Sequence, residues 1–100
     1  MEPGNTLKIE SLDNQWRDKD SVMLHACFQL LKDAVEKEKI LLGDTDWNAN
    51  EKHQFAKNEI QELYNWWIEY KESSTPDEKA YSNENKMLKR LIDIRWALWT

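Results

Sequence analysis

The sequence predicts an all-α fold: a three-helix antiparallel bundle with an extended N-terminal arm. Apolar residues recur every three or four positions in three long segments, which is the spacing that places side chains on one face of a helix. The 100 residues contain only two glycines and two prolines, too few for the many turns of an all-β fold. Short connections near residues 43–47 and 73–75 make neighbouring helices antiparallel. We therefore expect an arm over residues 1–15 and a single helical domain over residues 16–100.

The first helix is predicted to begin at Asp20 or Ser21, because a short side-chain oxygen can accept a hydrogen bond from a free N–H of the first turn. Gly43 stands where a glycine could adopt the left-handed conformation that ends a helix. Between these positions one apolar face is predicted to be buried: Leu24, Cys27, Phe28, Leu31, Ala34, Val35 and then Leu41 or Leu42.

The second and third helices have their own start signals. Asn48 and Glu51 have the spacing of a capping box, and the second helix is predicted to end at Ser73-Ser74. Thr75-Pro76-Asp77-Glu78 then predicts the start of the third helix, which either breaks near Ser82-Asn83 or runs through. The predicted buried stripes are Phe55, Ala56, Ile60, Leu63, Tyr64 and Trp67 in the second helix, and Met87, Leu88, Leu91, Ile92, Arg95, Leu98 and Trp99 in the third.

Charge and cysteine content narrow the class of protein. The net charge is −5, which disfavours non-specific binding to nucleic acid or to an anionic membrane, and permits a basic partner or mimicry of a nucleic acid. The single cysteine, Cys27, cannot form an intramolecular disulfide and falls in a helical apolar pattern, which fits a reducing compartment. With no apolar run long enough for a bilayer and no basic leader, we expect a cytoplasmic protein without a membrane partner.

Six tryptophans exceed what a core of this size needs, and surplus aromatic residues often mark binding surfaces. Trp66 and Trp67 cannot both face one core, because adjacent helical residues point about 100° apart. We assign Trp67 to the core, and Trp66 with Tyr70 to a second apolar strip. Trp96 and Trp99 pose the same question at the C-terminus, namely whether each faces the core or belongs to a further apolar strip. Both strips are predicted to mediate self-association into a homo-oligomer, and an aromatic pocket that stacks a base or sugar is the alternative.

Two further residues are candidates for contact with an anionic group. His25 lies beside the apolar stripe of the first helix, where a hydrogen-bonded packing role competes with a binding role. Arg95 interrupts a run of apolar residues, so it must extend its charged end into solvent, stack on an aromatic ring or meet a carboxylate. The competing interpretation is an internal ion pair with Asp18 or Asp20. The candidate binding residues are thus His25, Trp66, Tyr70, Arg95, Trp96 and Trp99.

The acidic motifs predict no metal site. Asp44-x-Asp46-x-Asn48-x-Asn50 resembles half of a calcium loop, but it has Ala49 and Phe55 where such a loop needs glycine and glutamate. The pairs Glu59/Glu62 and Glu69/Glu72 have the spacing that helical nucleotide pyrophosphohydrolases use for Mg²⁺, yet they alternate with lysines as solvated helix faces do. We therefore assign no catalytic residue, metal ligand or cofactor.

Several runs of the sequence combine rare residues in a distinctive order and spacing: Trp16-x-Asp18-x-Asp20, Met23-Leu24-His25-Ala26-x-Phe28-x-Leu30-Leu31, Val35-Glu36-x-Glu38, Glu59-Ile60-x-Glu62-Leu63-Tyr64-x-Trp66-Trp67 and Leu88-x-Arg90-Leu91-Ile92-x-Ile94-Arg95-x-x-Leu98-Trp99-Thr100. These runs resemble those of small all-helical proteins encoded by tailed bacteriophages, a group without an assigned activity. The resemblance covers most of the chain from Trp16 onward. It implies a phage origin and action in the cytoplasm of the host bacterium, where such proteins often serve host takeover or counter host defences by binding.

The sequence thus favours a non-enzymatic protein that binds a host protein or a small nucleotide ligand, without direct contact to nucleic acid. Two alternatives remain open at this point. One is a Mg²⁺-dependent nucleotide pyrophosphohydrolase-like enzyme that uses Glu59, Glu62 and acids of the first helix. The other is an acidic mimic of nucleic acid that blocks a DNA-binding host protein.

Overall fold

The computed structural model describes residues 7–13, 18–72 and 77–98. Within these segments the chain forms three α-helices and no strand: α1 (Lys19–Glu36), α2 (Glu51–Glu69) and α3 (Glu78–Asp93). Short 3₁₀ turns follow α1 at Ile40–Leu42 and α3 at Arg95–Leu98. Each helix contacts the other two, so the predicted all-α three-helix bundle is confirmed.

The core is formed where the apolar faces of the three helices meet. Phe28, Leu31, Ile60 and Leu63 are fully buried at its centre. The loops and turns contribute as well, through Ile40, Trp47, Ile94 and Ala97. Burial of this apolar surface is the main source of stability, at about 25 cal/mol per Å² removed from water.

The first helix differs from the prediction at both ends. It begins at Lys19 after Asp18, so Asp20 and Ser21 lie inside its first turn, where Asp20 accepts a hydrogen bond from the Ser21 N–H at 2.8 Å. It ends at Glu36, because the N–H groups of residues 37 and 38 both bond to the Asp33 carbonyl. The prediction for Gly43 is therefore wrong: the left-handed residue is Lys39, with φ of 52°, whereas Gly43 is extended.

The loop after α1 folds back onto the core in place of a longer helix. The Trp47 indole N–H donates to the Ile40 carbonyl at 3.2 Å, and both side chains are buried. Leu41 is half-buried, whereas Leu42, the other candidate for the buried face, is 83% exposed. The loop therefore buries Ile40 and Trp47 where the stripe predicted Leu41 or Leu42.

The second helix begins two residues later than predicted. Asn50 is its N-cap, and its side-chain oxygen accepts from the His53 backbone N–H at 2.9 Å. The helix ends at Glu69, because Tyr70 is extended, so the predicted end at Ser73-Ser74, which itself lies outside the described residues, is wrong. Phe55 was predicted in the core but is 56% exposed, because the buried face follows Ala56 and Ile60, about 100° around the helix.

The third helix runs through Ser82-Asn83 without a break. Asp77 caps it by accepting from the Ala80 N–H at 2.8 Å, while Thr75 and Pro76 lie outside the described residues. Ile92 was predicted in the core but is 56% exposed, because the buried face follows Glu84 and Leu91. Arg95 also leaves the predicted stripe and is exposed, since α3 ends at Asp93 and the following 3₁₀ turn changes the direction of the side chains.

The described part of the arm lies against α1. The Glu10 backbone N–H donates to the buried Gln29 side chain at 3.0 Å, and the Glu10 carboxylate lies 3.4 Å from Lys32 Nζ. This lysine lowers the pKa of Glu10 below its ordinary value. No described helix has the length and apolar character needed to cross a bilayer.

Candidate functional site

Trp66 and Tyr70, which were predicted to form a separate apolar strip, pack against each other and against the core. Their rings stack with centroids 4.5 Å apart, and Trp66 also contacts Phe28 at 5.3 Å. Phe28 in turn stacks on Trp67 at 4.9 Å, so the four rings form one intramolecular cluster. Trp66 and Tyr70 are half-buried, and much of their aromatic surface is already used inside the molecule.

His25 is buried at the same end of the bundle, and hydrogen bonds occupy both of its ring nitrogens. Nδ1 lies 2.7 Å from Ser11 Oγ of the arm, and Nε2 lies 3.0 Å from a Glu72 carboxylate oxygen. Ser21 Oγ donates to the same carboxylate at 2.9 Å, and the Trp67 ring packs edge-on against the imidazole at 4.8 Å. These contacts join the arm, α1 and the chain after α2, which is the packing role weighed for His25.

A buried carboxylate completes this end of the molecule. Glu84 of α3 is 6% exposed and accepts a hydrogen bond of 2.5 Å from the Tyr70 hydroxyl. Burial raises the pKa of Tyr70 above its ordinary value, and the hydrogen bond to Glu84 and the nearby charge of Glu72 raise it further. The phenol therefore stays protonated and keeps its bond to the carboxylate through the physiological pH range.

Glu59 and Glu62, the carboxylates considered for a hydrolase site, form ion pairs with Arg90. Arg90 of α3 donates from Nε to Glu59 at 3.0 Å and from a second nitrogen to the other Glu59 oxygen, which is the bidentate geometry of a strong ion pair. Glu62 lies 3.4 Å from the same guanidinium. Among the described residues, no group of three or more metal-ligating side chains converges on a point. The Glu59/Glu62 pair therefore joins α2 to α3.

The calcium-like loop between α1 and α2 has the structure of a capped turn. Asp46 accepts from the Asn48 backbone N–H at 3.0 Å, and Asn50 caps α2. These oxygens thus bond to backbone N–H groups of the loop and of the first turn of α2, which is a satisfied connection between helices.

Trp96 and Arg95 form an open corner where the turn after α3 meets the start of α2. Trp96 is half-buried, and His53 packs edge-on against its ring at 5.3 Å. Lys52 places its ammonium group 4.3 Å from the centroid of the same ring, a cation–π contact. The adjacent Arg95 side chain is exposed. We call Lys52, His53, Arg95 and Trp96 the cationic corner.

The candidate binding residues therefore separate into two groups. His25, Trp66 and Tyr70 lie near the C-terminal end of α2, whereas Arg95 and Trp96 lie near its N-terminal end, beside His53. The 17 residues between His53 and Tyr70 correspond to about 26 Å at 1.5 Å per residue. Trp99 lies outside the described residues, as does Trp16. One site cannot include both groups, and the cationic corner is the more exposed of the two.

Two features of the surface were missed by sequence reasoning. Lys52 and His53 carried no sequence signal for contact with Trp96, because the contact joins segments more than 40 residues apart. The second feature is a set of exposed apolar side chains on α1 and α3, namely Met23, Leu30, Tyr81 and Ile92. Their spacing of seven residues on α1 and eleven on α3 was a usable signal, but Ile92 was assigned to the core.

Comparison with known proteins gives no relative from which a role could be transferred. A scan against protein-family models finds no match, and neither the curated proteins nor the solved structures contain a significant one.

Proposed function

We propose that this protein works by binding and not by catalysis, and that the cationic corner holds an anionic group of its partner. The observation that carries the proposal is the half-buried Trp96 ring with Lys52 at 4.3 Å and the exposed Arg95 next to it in the chain. A guanidinium offers a planar fork of donors that matches a carboxylate or a phosphate. An indole ring beside it can stack on a planar group of the same ligand.

The charge of the rest of the molecule makes this corner distinctive. The protein carries a net charge of −5, and Arg90, the other described arginine, is engaged by Glu59 and Glu62. An anionic ligand at this corner would meet the Lys52 ammonium group over the Trp96 ring and the exposed guanidinium of the neighbouring Arg95. Contacts between exposed charges are weak one by one, so we expect the aromatic surface to supply part of the affinity.

The two candidate ligands, a small nucleotide and an acidic protein segment, share one feature: an anionic group next to an apolar or planar group. A small nucleotide offers a phosphate and a base, and an acidic segment of a host protein offers carboxylates beside apolar side chains. The resemblance to phage proteins supports action inside an infected bacterium, and there a host protein would be the target of a takeover or anti-defence factor.

The test starts with the native mass of the protein as purified from a bacterial host, before and after denaturation. A bound nucleotide appears as a small excess over a whole multiple of the chain mass. A host protein appears as a larger complex, and its identity is then read from the denatured sample. We expect the bound species to be lost in Arg95→Ala and Lys52→Ala and retained in Lys71→Ala, a matched control at the other end of α2.

Circular dichroism separates a binding role from a structural one. Retention of the bound species by Arg95→Ala with an intact fold contradicts the proposal, and unfolding of that variant would mean that Arg95 is structural.

The two alternative functions, a nucleotide hydrolase and an acidic mimic of nucleic acid, are tested by different measurements. Mg²⁺-dependent hydrolysis of a nucleotide panel would indicate the enzyme, and partner binding that survives Arg95→Glu would favour the acidic mimic.

A further inference from the structure

A hydroxyl, an imidazole and a carboxylate form a continuous row of hydrogen bonds from the surface into the bundle. Ser11 is exposed on the arm, and its Oγ lies 2.7 Å from Nδ1 of the buried His25. Nε2 of the same ring lies 3.0 Å from a Glu72 oxygen. The three residues come from the arm, from α1 and from the chain after α2, so the tertiary fold alone brings them together.

The carboxylate determines which ring nitrogen carries the proton of the imidazole. An ionised carboxylate can only accept hydrogen bonds, so neutral His25 must donate its Nε2–H to Glu72. Nδ1 then presents a lone pair and accepts the hydrogen bond that the Ser11 hydroxyl donates. This is the protonation state in which an imidazole acts as a base towards a hydroxyl group.

Two further contacts hold the imidazole and the carboxylate in position. Ser21 Oγ donates to both Glu72 oxygens at 2.9 Å, and the Trp67 ring packs edge-on against the imidazole at 4.8 Å. A nucleophile that is hydrogen-bonded to a base, with the base oriented by a third group, is the arrangement that activates a serine. The contacts that pack His25 therefore also give Ser11 the surroundings of a nucleophile.

We propose that Ser11 accepts an acyl group from an activated ester or thioester, with His25 as its general base. Ser11 Oγ attacks the carbonyl carbon, and a C–O bond forms while the bond from that carbon to the leaving oxygen or sulfur breaks. Nδ1 of His25 takes the serine proton and passes it to the leaving group. Glu72 stabilises the imidazolium that exists between these two proton transfers. The product is an ester on the side chain of Ser11.

The backbone around Ser11 restricts the reaction to one transfer per chain. Rapid hydrolases use available N–H groups to stabilise the negative oxygen of the intermediate. Here the neighbouring N–H groups are bonded, that of Glu10 to the Gln29 side chain at 3.0 Å and that of Leu12 to the Ile9 carbonyl at 3.4 Å. We therefore expect reaction with donors that carry a good leaving group, followed by slow loss of the acyl group.

The inference does not rest on the anion site. Ser11 bonds to His25, near the C-terminal end of α2, whereas the cationic corner lies near its N-terminal end. A single covalent transfer is not turnover, so it is compatible with a protein that works by binding. Lys52→Ala/Arg95→Ala should therefore leave the reactivity of Ser11 unchanged, and loss of the anion site would not affect the test below.

Mass spectrometry of the full chain after treatment with a fluorophosphonate tests the nucleophile. In this reaction the Oγ–P bond forms, fluoride leaves and His25 takes the serine proton. We expect about one added group per chain. Trypsin digestion should locate it in the peptide of residues 9–17, in which Ser11 has the only hydroxyl group. Ser82, an exposed serine of α3, is the internal control. No modification of Ser11, or equal modification of Ser82, overturns the proposal.

Acyl transfer itself is measured with p-nitrophenyl acetate. We expect a burst of about one nitrophenolate per chain and an acetyl group on Ser11. Prior treatment with the fluorophosphonate should remove the burst, because it blocks the same oxygen. A burst that survives this treatment, or an acetyl group that is absent from Ser11, overturns the assignment of the acyl acceptor.

Variants of the base test whether His25 activates Ser11. His25→Asn should slow the fluorophosphonate reaction roughly 100-fold or more. Glu72→Gln keeps an oxygen that can accept from Nε2–H but removes the charge that stabilises the imidazolium, so we expect a loss of roughly tenfold. Glu69→Gln, an exposed position at the end of α2, should react like the wild type.

Circular dichroism establishes that each variant is folded. Because His25 is buried, His25→Asn can lose its structure, and Glu72→Gln then carries the test. Reaction of Ser11 at the wild-type rate in folded Glu72→Gln, or an equal loss in Glu69→Gln, overturns the role of the His25–Glu72 pair.

Discussion

At the scale of single residues, the Tyr70 hydroxyl is the hydrogen-bond donor that the buried Glu84 carboxylate meets across the α2–α3 interface. A buried acceptor that loses its donor keeps the full cost of its desolvation, about 1–3 kcal/mol. We expect Tyr70→Phe to lower the free energy of unfolding by that amount, because the ring still stacks on Trp66 while Glu84 loses its bond. Urea denaturation followed by tryptophan fluorescence measures the loss.

Tyr64→Phe provides the control for this prediction. The Tyr64 hydroxyl also donates to a carboxylate, at 2.6 Å, but its partner Glu36 is exposed to solvent and can bond to water instead. We expect this variant to lose less than about 1 kcal/mol. Equal losses in the two variants would show that the burial of Glu84 does not make its hydrogen bond more important.

The raised pKa of Tyr70 predicts a specific loss of stability in alkaline solution. The folded protein holds the phenol proton to a higher pH than the unfolded chain does, so the stabilisation is complete below the ordinary tyrosine pKa of 10.0. Above that pH the unfolded chain releases its proton, and the free energy of unfolding falls as pH rises towards the folded pKa. We expect Tyr70→Phe to show a smaller fall between about pH 9 and about pH 11. Parallel curves for the two proteins would contradict this assignment.

At the scale of elements, the loop after α1 predicts opposite roles for two neighbouring positions. Lys39 has a left-handed backbone, which costs a non-glycine residue about 1–2 kcal/mol. Lys39→Gly removes this cost but gives the unfolded chain more freedom, so we expect a net change between zero and about 1 kcal/mol of stabilisation. Thermal unfolding of the variant against the wild type measures this change.

Gly43→Ala tests whether the neighbouring position in the same loop needs the backbone freedom of glycine. Gly43 has an extended backbone, and a Cβ atom there would meet its nearest neighbour at 3.8 Å, an ordinary contact. We expect the variant to be more stable by about 0.4–1 kcal/mol, because alanine restricts the unfolded chain. A clear destabilisation would mean that Gly43 does require a left-handed backbone, as its sequence position indicated.

Two arginines near the end of α3 have different structural roles. Arg90 neutralises Glu59, which is 8% exposed, so Arg90→Ala leaves a nearly buried charge without its partner. We expect this variant to lose about 2 kcal/mol of stability. Arg95 is exposed, and Arg95→Ala should change stability by less than about 0.5 kcal/mol. Chemical denaturation of both variants checks the difference, and a larger loss for Arg95→Ala would remove the case for a binding role.

The sequence was sufficient to predict the three helices, because each apolar stripe repeats over many residues and its period is unambiguous. The ends were harder to locate, since Asp18, Asp20 and Ser21 all satisfy the chemistry of an N-cap, as do Asn48 and Asn50. The choice between neighbours such as Phe55 and Ala56 depends on where another helix lies. The position of that other helix is set by contacts between distant segments of the chain, and a local sequence pattern carries no information about such contacts.

The same limit applies to the candidate site. Tryptophan content indicated surplus aromatic surface, and the structure distributes it differently from the prediction: Trp47 and Trp67 are buried, Trp66 is stacked, and Trp96 remains partly open. His25 bonds to Ser11 and Glu72, which are 14 and 47 residues away in the chain. The sequence favoured a packing role for His25. Its partners could not be predicted, because contacts between distant residues are set by tertiary packing.

At the scale of the whole molecule, the two ends of the bundle differ in character. The end around His25 and Glu84 is closed by hydrogen bonds and stacked rings, and it fixes the relative position of the arm and the three helices. The other end presents the cationic corner. A ligand bound there changes few internal contacts, so we expect binding to stabilise the protein by mass action without a large structural change.

The central claim, that the cationic corner binds an anionic partner, is tested most directly by native mass spectrometry of three proteins purified in parallel from a bacterial host. They are the wild type, the double variant Lys52→Ala/Arg95→Ala and the control Lys71→Ala. We predict an additional mass, from a small anion-bearing ligand or a host protein, on the wild type and the control and its absence from the double variant. The same additional mass on all three proteins, or on none, would contradict the claim.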